Sequence, residues 1–148
     1  MPEKETLERA QEDKREGKSP STQAGEFVHE EIEHVREGKH GARSTKQAIA
    51  IGLSKARRAG VKLAPPKKGQ ASKRTQEQAK RDVKKGQKAA KKKPSAKRSR
   101  AVSRALKREG HTAASKTALS RQARSAAAKR SAASRSRSAK KAAATRKK

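Results

Sequence analysis

ARSTKQAIAIGLSKARRAGVKL, residues 42–63, is where Ile and Leu crowd most closely in this chain. Ile49, Leu53 and Ala56 recur at spacings of four and three residues, so they lie on one face of a helix. Gly52 falls beside this face, where the absence of a side chain allows a second helix to approach closely. The segment therefore predicts a short amphipathic helix with a narrow apolar stripe.

Both ends of this helix carry local signals. Ser44 is followed three residues later by Gln47, which fits a capping box at the N-terminus. Gly60 followed by Val61 fits a Schellman-type stop, in which the residue after the glycine packs back on the last turn. We expect the helix to begin just after Ser44 and to end just before Gly60.

A second helix is predicted before it, over residues 23–37. Val28, Ile32 and Val35 share one helical face, Phe27 lies beside them, and Gly38 is the expected stop. Joined by a loop of six or seven residues, the two helices should pack as an antiparallel hairpin over residues 22–64. The predicted hairpin core is Phe27, Val28, Ile32, Val35, Ile49, Leu53 and Val61.

Composition limits how much of the chain this core can order. Only 29% of the 148 residues are hydrophobic. Burying a large apolar side chain gains about 1.5–3 kcal/mol, whereas ordering a residue costs about 1–2 kcal/mol in backbone entropy. We therefore expect a mostly α protein with three segments. An exposed acidic helix and linker fill residues 1–21, the hairpin fills residues 22–64, and a basic, largely disordered or weakly helical tail fills residues 65–148.

Charge is distributed unevenly along the chain. The net charge is +29, with −5 over residues 1–37 and +34 over residues 38–148. Residues 67–148 alone carry 30 basic and three acidic side chains. Because duplex DNA carries one negative charge per about 1.7 Å, this excess matches about 46 Å of duplex. The basic half therefore predicts a polyanionic partner bound with counterion release.

Residue types narrow the choice of polyanion. Phe27 is the only aromatic residue, so the chain has no platform for stacking unpaired bases. We expect contacts to the phosphate backbone of DNA, without sequence preference, more than to RNA. The candidate nucleic-acid-binding residues are Lys55, Arg57, Arg58, Lys91, Lys92, Lys93, Lys97, Arg98, Arg100, Arg104, Lys107, Arg108, Arg121, Arg124, Lys129, Arg130, Arg135, Arg137, Lys140, Lys141, Arg146, Lys147 and Lys148.

Other functions stay open from the sequence. One is association with RNA or the ribosome, another is a disordered stress-protective protein, and a third is a tail regulated by phosphorylation of SRSRS, residues 134–138. The hairpin could act as a homodimerising or protein-docking module, or as a helix-turn-helix. The acidic N-terminal segment could compete with DNA for the basic tail.

Several classes of protein and site are disfavoured. The chain has no Cys and no apolar run of about 18 residues, so it predicts neither disulfides nor a membrane span. The charged N-terminus resembles neither a secretory signal nor a transit peptide, which favours a cytoplasmic, nucleoid location, or a nuclear one in a eukaryote. In HEEIEH, residues 29–34, the two His lie five residues apart, about 140° around a helix, rather than at the zinc-protease spacing. No catalytic residue, metal site or cofactor is therefore expected.

Two segments resemble a known group. HEEIEHVREGKHGARSTKQAIAIGLSKARRAGVKL, residues 29–63, is similar to a family of small basic bacterial proteins defined only as a domain of unknown function. The STKQAIAIGLSKARRAG core and the GKHG loop before it carry the likeness, and RALKREGHTAASKTALSRQARSAAAKR, residues 104–130, looks like the tails of those proteins. The resemblance implies a bacterial, cytoplasmic protein and brings no catalytic residues. In composition alone, the tail also resembles linker-histone and bacterial histone-like tails.

Overall fold

The computed structural model describes residues 1–88 and 95–146, apart from the side chain of Thr145. Seven α-helices and one 3₁₀ helix account for most of these residues. They are α1 (Lys4–Arg15), α2 (Pro20–Arg36), α3 (Thr45–Ala59), α4 (Lys73–Gln87), α5 (Ala96–Lys107), the 3₁₀ helix (Thr112–Ala114), α6 (Lys116–Ala128) and α7 (Ala132–Arg146).

The expected fold class, a two-helix hairpin with an exposed N-terminal helix and a largely disordered tail, is wrong. The described part of the basic half forms α4, α5, α6 and α7. Ser72 and Ser115 cap α4 and α6, each accepting a 3.2 Å hydrogen bond from the backbone N–H three residues later. These caps and the high helix propensity of Ala favour helices where hydrophobicity alone predicts none.

The ends of α3 follow the local signals closely. Ser44 Oγ accepts a 3.2 Å hydrogen bond from the Gln47 N–H, although Gln47 Oε1 returns to the N–H of Arg43 rather than to that of Ser44. At the other end, Gly60 has φ 102°. The Val61 N–H bonds to the Ala56 carbonyl at 3.1 Å, which confirms the Schellman stop.

α2 and α3 pack closely because of Gly52. A Cβ at this position would lie 2.7 Å from Val28 Cα and 2.9 Å from the Phe27 carbonyl oxygen. Only glycine leaves room for the backbone of α2 at this point of contact.

Two hydrophobic clusters form the core, on either side of this contact. The α1-side cluster consists of buried Ala10, Ala24, Phe27 and Ala56, with Leu7, Leu53, Ala59, Val61 and Leu63 packed around them. The α6-side cluster consists of buried Ile32, Val35, Ala42, Ala48, Ala113 and Ala114, with Val28 and Leu119 packed around them. Of the predicted core residues, Ile49 is partly buried but belongs to neither cluster. α1 is thus part of the core through Ala10 rather than fully exposed.

A piece of the expected tail completes the α6-side cluster. Ala113 and Ala114 are buried against Ile32 and Val35 of α2. The Arg36 side chain donates a 3.0 Å hydrogen bond to the Ala114 carbonyl. Residues 113–114 therefore belong to the same folded unit as the α2–α3 pair.

The loop between α2 and α3 also contacts the basic half. The N–H groups of Gly41 and Ala42 donate to the carbonyls of Leu106 and Gly110 at 2.9 and 3.0 Å. A Cβ at Gly41 would overlap the backbone carbonyl of Glu109, so this contact also depends on a glycine.

α4 packs on α3 around Asp82, which is buried. Ser54, Arg58 and Gln78 donate hydrogen bonds to its carboxylate at 2.6, 2.7 and 3.1 Å. Burial opposes ionisation of Asp82, but these donors outweigh it and lower its pKa below the usual value. The buried carboxylate thereby links α4 to Ser54 and Arg58 of α3.

In the part of the chain that the structure describes, no helix is both long enough and apolar enough to cross a membrane.

Candidate nucleic-acid interface

The basic side chains of α5, α6 and α7 are exposed. Residues 95–146 contain 16 basic residues and one acidic residue, Glu109. Apart from Lys141, none of these cations makes an ion pair within the described residues. The predicted site residues among them are Lys97, Arg98, Arg100, Arg104, Lys107, Arg108, Arg121, Arg124, Lys129, Arg130, Arg135, Arg137, Lys140, Lys141 and Arg146. Apart from Lys141, these side chains present their charges to solvent and have no acidic partner within the described residues.

Five of the predicted site residues, Lys91, Lys92, Lys93, Lys147 and Lys148, lie outside the described residues.

The three predicted site residues on α3 have hydrogen-bond or ion-pair partners within the fold. Lys55 Nζ lies 2.7 Å from Glu31 Oε2 and 3.1 Å from Glu30 Oε1. Burial alone would lower the pKa of Lys55, but the two carboxylates outweigh it and raise that pKa. Arg57 is buried and donates to the carbonyls of Leu63 and Ala64, each at 3.3 Å.

Arg58, the third of them, donates a 2.7 Å hydrogen bond to Asp82. Lys55, Arg57 and Arg58 thus have partners within the fold, although 51% of the Arg58 side-chain surface stays exposed. Their charges hold α2, α3, α4 and the segment after α3 together.

The carboxylates of residues 3–37 form their ion pairs with cations between residues 4 and 55. Every ion pair located within the described residues joins groups between residues 3 and 82. Glu3, for example, lies 2.8 Å from His34 Nε2 and 3.0 Å from Lys39 Nζ. Hydrogen bonds from His34 and then Lys39 lower the pKa of Glu3 to about 2. The expected competition of the acidic segment for the basic tail therefore has no counterpart among these ion pairs.

A groove of about 660 Å³ lies between the N-terminal end of α3 and residues 112–125 of the 3₁₀ helix and α6. Its wall carries three cations, Arg43, Lys46 and Arg121, and no carboxylate. The rest of the lining is mostly hydroxyl-bearing or amide side chains: Ser44, Thr45, Thr112, Ser115, Thr117, Gln122 and Ser125, with Ala113 and Ala118. We refer to this site as the α3–α6 groove.

Helix direction adds to the positive character of the α3–α6 groove. Ser44 and Ser115, the N-caps of α3 and α6, both line it. The N-terminal end of a helix carries a partial positive charge and favours bound anions such as phosphate. The groove thus combines two helix N-termini, three cations and several hydroxyl donors on one concave surface.

Sequence reasoning found Arg121 but not this groove. The available signals were the two serine caps, and nothing local in either segment indicates that residues 43–46 and 112–125 face each other. That proximity depends on the burial of Ala113 and Ala114, whose small side chains give no hydrophobic pattern.

A second polar cluster lies between α2 and the loop after it. Glu31, His34 and His40 each offer one ligand atom, and these three atoms lie within 4.8 Å of one another. Glu31 is buried, and both imidazoles are largely buried, with 12% and 16% of their side-chain surface exposed. The sequence interpretation compared His29 with His34, whereas the structure pairs His34 with His40 from the loop. The Glu31–His34 spacing of three residues was the only local signal.

Comparison with known proteins identifies one segment of the chain. No curated protein and no solved structure shows a significant match. One family model matches a segment that covers the end of α1 and all of α2 and α3, but neither α4 nor residues 113–114. The resemblance of the tail therefore stays a prediction. Residues 13–68 match the model of DUF6496, a family of unknown function, which confirms the resemblance to a domain of unknown function over that segment.

Proposed function

We propose that this protein is a binding protein rather than an enzyme, and that it binds duplex DNA through the phosphates without sequence preference. A histone-like role on the bacterial nucleoid would follow from such binding. The chemistry is counterion release, in which Lys and Arg displace condensed cations from the phosphate backbone.

The observation that carries this proposal is that the basic side chains of residues 95–146, Lys141 apart, are exposed and have no acidic partner within the described residues. A carboxylate beside a cation partly neutralises its charge and weakens its attraction for phosphate, and no such carboxylate is present for these side chains within the described residues. Arg58, by contrast, already contacts the buried carboxylate of Asp82 through Nε.

The α3–α6 groove supports a defined phosphate position within this surface. Arg43, Lys46 and Arg121 surround two helix N-termini, an arrangement typical of phosphate sites. A DNA backbone seated there would extend the contact from the basic helices onto α3.

The test is binding of a labelled duplex by full-length protein across a salt series. If about ten phosphates are engaged, log K should fall with log salt with a slope near −9. The groove variant, R43Q with K46Q and R121Q, should reduce the steepness of this slope by about 2.7, because three contacts are lost.

A matched control removes the same charge elsewhere. K4Q with K14Q and R15Q also lowers the net charge by three, but on the exposed face of α1. Equal losses in the groove and control variants would mean that net charge alone attracts DNA and would refute a defined surface. Competition with structured RNA at one salt concentration tests the RNA alternative, and preferential binding of RNA would overturn the choice of DNA.

A further inference from the structure

Glu31 and His34 of α2 and His40 of the loop after it form a largely buried cluster. The proposed nucleic-acid binding does not involve these three side chains. Gly41 supplies a backbone carbonyl 3.1 Å from His40 Nδ1. A carbonyl only accepts, so this contact places a proton on Nδ1. His40 Nε2 then faces Glu31 Oε1 at 3.1 Å.

A neutral His40 would direct a lone pair at that carboxylate oxygen. Two acceptors at this distance need a cation between them, either a proton on Nε2 or a metal ion bound by both. Two ligands of a tetrahedral zinc ion, each about 2.0–2.1 Å from the metal, are about 3.3 Å apart, close to the separation found here.

His34 is held in the same way by a partner on one ring nitrogen. Its Nε2 lies 2.8 Å from Glu3 Oε1, and its Nδ1 is 4.0 Å from Glu30 Oε1, beyond hydrogen-bond distance. Histidines that bind metals almost always use their second nitrogen to contact a carboxylate or a backbone carbonyl. Both imidazoles of this cluster have such a partner, Glu3 for His34 and the Gly41 carbonyl for His40.

Glu31 supplies the third group. Its side chain is 1% exposed, and neither carboxylate oxygen accepts a hydrogen bond of normal geometry. Lys55 Nζ lies 2.7 Å from Oε2, so Oε1 is the oxygen left for a metal. The three ligand atoms lie within 4.8 Å of one another. Side-chain rotations that move these atoms by about 1–1.5 Å would bring them to the spacing of about 3.3 Å that tetrahedral ligands have.

We propose that Glu31, His34 and His40 form a binding site for a divalent transition-metal ion of the type that imidazole and carboxylate ligands prefer, with Zn²⁺ as the best match. Two nitrogens and one oxygen suit Zn²⁺ and exclude the all-oxygen environment that Mg²⁺ and Ca²⁺ require. Three protein ligands leave a fourth position for water. The metal would tie α2 to the loop that leads into α3.

The experiment is titration of metal-free, full-length protein with Zn²⁺ alone, in competition with a chromophoric chelator. We expect one Zn²⁺ per chain. H34N and H40N should each weaken binding by at least 100-fold, and E3Q, which removes an exposed carboxylate contacting His34, should weaken it by about 10-fold. H29N alters an exposed His of the same helix and should leave affinity unchanged within twofold.

Stability gives a second measurement. At free Zn²⁺ 100 times above Kd, the ratio of folded to unfolded protein should rise about 100-fold for the wild type and for H29N, but not for H40N. Far-UV circular dichroism without metal shows whether each variant is folded, and E3Q keeps the test valid if H34N or H40N is not. Absence of stoichiometric binding, equal binding by all four variants, or a similar response to Mg²⁺ would each overturn the site.

Discussion

The hydroxyl of Thr45 donates a 2.6 Å hydrogen bond to the backbone carbonyl of Ala113, sixty-eight residues further along the chain. Thr45 is the first residue of α3, and Ala113 lies in the 3₁₀ helix before α6. The bond is buried, so its loss leaves the Ala113 carbonyl without its side-chain partner. It joins the family-matched segment directly to the basic half.

Replacing Thr45 with Val keeps the shape of the side chain but removes the donor. The Ala113 carbonyl is then buried without its partner, which should lower the free energy of unfolding by about 1–3 kcal/mol. Urea denaturation measures this loss. T117V makes the same change at an exposed Thr on α6 and should alter stability by less than about 0.5 kcal/mol. Equal effects of the two variants would contradict the contact.

Ala114 fills the α6-side cluster and has no exposed surface. A114L inserts three carbons into space already occupied by Ile32 and Val35, and overpacking of this kind costs about 1–3 kcal/mol. The matched control is A126L on the exposed face of α6, where extra carbons meet solvent. Thermal unfolding measures the stability of both variants. If A114L were as stable as A126L, residue 114 would not belong to the core.

The two alanines also show what the sequence could and could not predict. The cap at Ser44 and the stop at Gly60 were predictable because each depends on residues within one turn. Ala113 and Ala114 were not, because alanine recurs throughout the basic half and only tertiary contact distinguishes buried copies from exposed ones. The hydrophobic count behind the expected disordered tail gave little weight to such small side chains.

The same limit applies to the charged residues. From the sequence alone, Lys55 and Arg104 are both basic residues of a strongly basic chain, and nothing near either one shows whether it has an acidic partner. Lys55 pairs with Glu31, twenty-four residues earlier, whereas Arg104 has no acidic partner within the described residues. Local sequence indicates charge, but the fold determines which charges remain free for a ligand.

Asp82 should make stability depend on pH. Its pKa is lower in the folded protein than the usual value near 3.9. The contribution of Asp82 to the free energy of unfolding is therefore present above about pH 4, and it is lost as the pH falls through the pKa of the folded protein. D82N should lower the free energy of unfolding by about 2–3 kcal/mol at pH 7.

The difference between wild type and D82N should narrow between pH 4 and pH 2, because acid removes from the wild type the same charge that the substitution removes. Urea midpoints across this range measure it. E77Q removes an exposed carboxylate from the same helix and controls for the change in net charge. A gap between wild type and D82N that stays constant down to pH 2 would show that ionised Asp82 does not stabilise the fold.

Arg58 and Arg104 should separate stability from DNA binding. R58Q removes the charged donor to Asp82 and should lower the free energy of unfolding by about 1–2 kcal/mol, with an unchanged salt slope for duplex binding. R104Q alters an exposed side chain of α5 and should leave stability within about 0.5 kcal/mol of wild type.

Duplex binding should respond in the opposite way. If Arg104 contacts a phosphate, R104Q should reduce the steepness of the salt slope by about 0.9. The two substitutions make the same change in net charge, so long-range attraction affects both equally. A smaller slope for R58Q with no change for R104Q would place the DNA on α3 instead of on the basic helices.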